Sequence, residues 1–160
     1  MHYVGSAAQI LKGIILIAKG YFGQGVKVSE DVLRVHNKNN SKYRLAAHHT
    51  LLGNVYLQMV QRTRPMSLTL FIRNFGFLIR NILFVSKKAE YHFNTAIDIS
   101  KDIGAKGILG QAWFGLGSLH IAKGRIEQAR KCLYEAVQVF EICDAKVYLK
   151  QAQAALSALA

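Results

Sequence analysis

The clearest hydrophobic pattern in the chain runs from Pro65 to Ser86, where Leu70, Phe71, Ile72, Phe75, Phe77, Leu78, Ile79, Ile82, Leu83, Phe84 and Val85 surround a thin polar stripe. Thr69, Arg73, Gly76 and Arg80 fall at i, i+4, i+7 and i+11, on one side of a helix. A helix this apolar has to be covered, so the pattern predicts an extra core helix packed on its neighbours or on a sister subunit. A helix lying on a membrane surface is the rival reading. A true span is disfavoured, because two arginines within about 20 residues would each cost roughly 2.5–3.5 kcal/mol near the bilayer centre.

Helical spacing continues outside this segment, and the single proline, Pro65, leaves nearly every other stretch free to be helical. Trp113, Leu116, Gly117 and His120 share one face of a helix, and Ala129, Leu133 and Ala136 share a face of the next. Between them Gly124 is suited to end the first helix, since glycine takes the left-handed conformation without a side-chain penalty. Small residues at 117 and 129 let two antiparallel helices approach closely. The run Ile17-Ala18-Lys19-Gly20 recurs as Ile121-Ala122-Lys123-Gly124, and in the same register Gly13 aligns with Gly117, Gln24 with Gln128, Lys27 with Lys131 and Val35 with Val139. A middle copy reads His49, Leu52, Gly53 and Tyr56, then Ala89, Phe93 and Ala96. There about 24 extra residues separate the two helices of the repeat.

These positions resemble the tetratricopeptide repeat, whose first helix carries Trp, Leu-Gly and Tyr and whose second carries Ala and Phe. The resemblance implies an all-α fold: antiparallel helical hairpins stacked as a short solenoid, with an inserted apolar helix and a C-terminal capping helix. On this reading residues 1–160 form one domain. The hairpins cover about 6–36, 43–102 with an insertion at 61–86, and 106–142, and the capping helix about 144–159. The first hairpin departs from the pattern at Gln9, Lys12 and Gly25, which predicts looser packing there, and no proline closes any repeat. The stretch from Lys87 to Leu156, with Ala89-Glu90-Tyr91-His92-Phe93 and Gly104-Ala105-Lys106-Gly107-Ile108-Leu109-Gly110-Gln111-Ala112, is also similar to the C-terminal repeat region of large bacterial signalling proteins that join nucleotide-cyclase or ATPase domains to such repeats. An opening inside a repeat, at Met1-His2-Tyr3, fits a portion of such a parent.

Composition sharpens the picture in two places. An apolar fraction of 51% with 19% charged residues is enough for a core and excludes a disordered chain. The net charge of +12 is uneven: between Val32 and Ala89 there are ten lysines and arginines and no acid. That excess predicts an acidic protein partner, an anionic membrane surface or nucleic acid, against the plain alternative of a solvated basic face. Nucleic acid is disfavoured, because the basic stretch lacks interleaved aromatics. Cys132 and Cys143 form no paired motif, which fits a reducing, cytoplasmic setting. No secretory signal is read at the start, and Ile10–Ala18 is too short to cross a bilayer.

Candidate chemistry is sparse. No phosphate-cradling loop leads into Gly-Lys-Ser/Thr, and Gly115-Leu116-Gly117-Ser118 falls inside a helical pattern that already explains Gly117. Ser118 lacks the setting of a strained nucleophile. His48 and His49 point about 100 degrees apart on a helix and do not readily share a metal, while His49 and His120 fill repeat-packing sites. Glu30, Asp31, Glu127 and Glu135 read as surface charges. The sequence therefore predicts no enzyme, cofactor or metal, and instead an interaction and regulatory module whose groove uses Lys42, Asn54, Gln58, Gln111, Ser118 and His120. Its partner would be a protein or peptide segment, acidic in character, or another domain of a parent protein. The alternative is a membrane-surface or self-associating module built on helix 65–86, with Arg64, Arg73, Arg80, Lys87 and Lys88 as contacts.

Overall fold

The computed structural model describes residues 2–38, 41–61, 68–81 and 84–159, with side chains described there except at 2–7, 38, 71 and 77–81. Every regular element among them is an α-helix: α1 (His2–Ala18), α2 (Phe22–Lys38), α3 (Lys42–Val60), α4 (Leu68–Asn81), α5 (Val85–Ile103), α6 (Lys106–Ala122), α7 (Ile126–Ile142) and α8 (Lys146–Ser157). The helices pack as hairpins, α1 on α2, α3 on α5 and α6 on α7. Neighbouring hairpins then stack: α2 lies against α3, α6 lies against both α3 and α5, and α8 covers α7.

One close approach recurs in all three hairpins. A Cβ added at Gly13 would stand 2.8 Å from Ser29 Oγ, one at Gly53 2.6 Å from Phe93 Cε1, and one at Gly117 2.9 Å from Leu133 Cγ and 3.4 Å from the Ala129 carbonyl. Each glycine thus opens the first helix of a pair to the same position of the second. Phe93 is fully buried, and its ring is pressed from a second side by Gly115 of the next hairpin. Burying a phenylalanine this fully stabilises by about 2–3 kcal/mol. The core reaches without a break from Val26 on α2 through Tyr56, Ala89, Phe93 and Leu116 to Cys132 on α7. Ala136, Phe140 and Ala152 form a second cluster that seals α7 to α8.

Four helices end in one way. After α1, α5, α6 and α7 the amides of Tyr21, Ala105, Arg125 and Ala145 bond to the carbonyls of Leu16, Ser100, His120 and Phe140, at 2.8–3.0 Å. The residue before each of these amides has positive φ: Gly20 at 80°, Gly104 at 68°, Gly124 at 68° and Asp144 at 49°. The motif satisfies carbonyls that a helix end otherwise leaves open and turns the chain back at a fixed angle.

The segment between α3 and α5 differs from the sequence expectation in its bounds. A turn followed by an apolar helix is predicted within Pro65–Ser86; the observed α4 covers Leu68–Asn81, and Val85 and Ser86 open α5 instead. Val85 shares a helix face with Ala89, Phe93 and Ala96 and is buried with them, so core packing extends α5 backwards. Pro65 and Arg64, with the rest of 62–67, lie outside the described residues, as do 82–83.

Candidate functional site

The predicted groove residues sit on first helices, and the structure separates them by exposure. Asn54 and Gln58 are one turn apart on α3, half-buried and exposed respectively. Gln58 opens into a cleft of about 370 Å³ walled by Ile17, Gly20, Phe22, Val55, Met59 and Leu70, where α1, α3 and α4 meet. Gln111 and Ser118 lie two turns apart on α6, both half-buried, and the Ser118 hydroxyl donates to the Phe114 carbonyl at 2.9 Å within its own helix. Lys42 is exposed at the start of α3 and pairs with Asp102 near the end of α5 at 2.6 Å. His120 is buried rather than presented to the groove. Burial lowers its pKa, the Glu90 carboxylate opposes this, and Arg125 and Lys123 add to the lowering. Glu90 itself is shared by Lys123 at 3.4 Å and Arg125 at 3.5 Å.

The basic residues assigned to lipid or partner contact are dispersed. Arg73 donates to the Lys19 carbonyl at 3.2 Å and lies over the Tyr21 ring at 4.3 Å, so it latches α4 to the end of α1. Lys87 is exposed beside Phe84, with Nζ 6.0 Å from the ring, and Lys88 reaches over Tyr56 at 5.5 Å. The Arg80 side chain, like Arg64, falls outside what is described.

A cluster of buried histidines joins the first two hairpins. His36 of α2 meets His48 of α3 edge-on, with ring centroids 5.7 Å apart. On the next face of α3, His49 Nδ1 lies 2.9 Å from His92 Nδ1 of α5, and Tyr56 stacks on His92 at 5.6 Å. A bond between two Nδ1 atoms needs one ring to donate and the other to accept, so the accepting ring is neutral and carries its proton on Nε2. Burial is the main cause of their weak basicity. It lowers His48 and His49 to about 4 and, with the charges of His49, Lys88 and His48 adding, His92 to about 3. His36 is lowered as well, by burial and then by Arg44. Among the described residues no group of three or more His, Cys, Asp or Glu is arranged to hold a metal ion.

His49 and His92 belong to different helices, and nothing in their local spacing brings them together. The register carries the missing signal: Gly53 against Phe93 sets α3 antiparallel to α5, so residue 92 lies level with 52 and 53, one turn from both His49 and Tyr56. Compared with known protein families and with characterised proteins, the sequence matches none.

Proposed function

We propose that this chain is a tetratricopeptide-type interaction module that acts by holding a protein or peptide segment, not by catalysis. The observation that supports this reading is the recurrence of one glycine contact in three successive hairpins, Gly13 to Ser29, Gly53 to Phe93 and Gly117 to Leu133. Hairpins that repeat one approach present their first helices side by side, and such a surface suits an extended or helical segment. Asn54, Gln58, Gln111 and Ser118 supply amide and hydroxyl groups along that surface, and the basic excess favours an acidic segment. The resemblance of residues 87–156 to signalling proteins makes a regulatory portion of a larger cytoplasmic protein the setting we favour.

Fluorescence anisotropy with labelled acidic and neutral peptides tests the reading on the whole chain. Acidic peptides should bind, and the pair Gln58→Glu with Gln111→Glu should weaken them at least about fivefold while leaving the circular dichroism unchanged. Binding indifferent to both changes, or none to any peptide, would contradict it.

A further inference from the structure

We propose that α4 seats the N-terminal half of the molecule on an anionic lipid surface. The observation that carries this is an apolar row left exposed on a helix that is pinned to the protein by its other side. A helix on a globular protein docks through its apolar stripe and shows its polar side to water. Here α4 docks through Leu70 and Asn74, and it leaves apolar side chains outside together with its polar stripe. Asn74 is 3% exposed, donates to the Gly20 carbonyl at 2.7 Å and accepts from the Phe22 amide at 2.9 Å, while Arg73 holds the Lys19 carbonyl. One turn apart on the opposite side, Leu68 and Ile72 are 74% and 66% exposed, and Phe75 continues the row at half exposure. On α1, Leu11, Ile14 and Ile15 form a second outward apolar row.

The charge distribution selects the occupant. Residues 1–89 hold thirteen lysines and arginines against two acids, whereas residues 90–160 hold eight against seven. Both apolar rows therefore lie in the half that carries nearly all of the net charge, with Lys12, Lys19 and Lys87 exposed on it. A second copy would bring the same positive charge to the contact. A bilayer with anionic headgroups offers an apolar layer for Leu68 and Ile72 and negative charge for the lysines together. Among the described residues no helix is long and apolar enough to cross a membrane, so α4, about 21 Å long, would lie in the interface plane. This proposal does not rest on the peptide groove.

Flotation of the full chain with phosphatidylcholine vesicles, with and without phosphatidylserine, is the test. We expect binding that requires phosphatidylserine and weakens as salt rises. The pair Leu68→Ser and Ile72→Ser should reduce it at least about tenfold, whereas Val147→Ser, at an equally exposed site on α8, should not. In a separate variant, Ile72→Trp, the added fluorescence should shift to the blue on anionic vesicles and be quenched by brominated acyl chains beyond the response of Trp113 in the parent chain. The proposal is overturned by failure to float, by equal binding to neutral vesicles, or by equal loss on Val147→Ser. It is also overturned by a dimer in solution that the Leu68→Ser and Ile72→Ser pair dissociates, which would make a second copy the occupant.

Discussion

Phe93 is the side chain around which the hairpins close, because glycines from α3 and α6 press its ring from two sides. A methyl at Gly115 has no room, since the ring it meets cannot retreat into Gly53. Overpacking of this kind costs about 1–3 kcal/mol and the better helix propensity of alanine returns about 1, so Gly115→Ala should lower stability by up to about 2 kcal/mol in urea unfolding. Gly107, with nothing within 4 Å of an added Cβ, gives the opposite sign: Gly107→Ala should raise stability by about 0.5 kcal/mol. The buried histidines make a pH prediction. Burial holds His48, His49 and His92 near 4, 4 and 3, below the ordinary 6.5, so between those values the unfolded chain binds protons that the folded chain refuses. Their neutral packing is fully favourable above pH 6.5 and is lost as pH falls toward 4, on the order of 1 kcal/mol per pH unit for each histidine. Urea midpoints that fall steeply from pH 7 to pH 5 are expected, and flat midpoints would contradict the cluster. Gly117, Ala129 and Leu133 are legible in the sequence because their spacing is local. His36 and His48 are not, since they meet only once α2 and α3 have stacked.

The turns and the stray helix divide the elements into regular and irregular. Gly104 and Gly124 end α5 and α6 with positive φ, and Asp144 does the same work after α7 at φ 49° although its Cβ disfavours that region. Asp144→Gly should therefore raise stability by about 0.5–1 kcal/mol, read as a higher melting temperature. Helix α4 hangs on Asn74, whose side chain bridges Gly20 and Phe22. Asn74→Leu leaves a buried carbonyl and a buried amide without that partner, so amides of 68–81 should exchange with deuterium markedly faster while those of α6 and α7 change little. The interrupted second hairpin is legible because Gly53 and Phe93 keep their repeat positions across the extra residues. The side on which α4 docks is not. Thr69, Arg73 and Gly76 stay exposed as the polar stripe groups them, but Asn74, set among apolar residues in the sequence, is drawn in by the open carbonyl of Gly20, while Leu68 and Ile72 are left outside.

Across the molecule, one interior runs from α2 to α7, so the hairpins are held as a stack and their first helices keep a fixed spacing. Under the proposed function fixed spacing matters, because a preorganised groove avoids the entropy of ordering its own residues on binding. The charge is distributed on the same large scale, positive in the N-terminal half and balanced in the C-terminal half, which gives the stack two dissimilar ends. The most direct test of the stack as a partner-binding device is a two-dimensional amide NMR titration of the whole chain with an acidic peptide. The account predicts saturable shifts concentrated at Asn54, Gln58, Gln111 and Ser118 and at their neighbours on α3 and α6. Shifts confined to the outward faces of α5 and α7, or none at all, would contradict it.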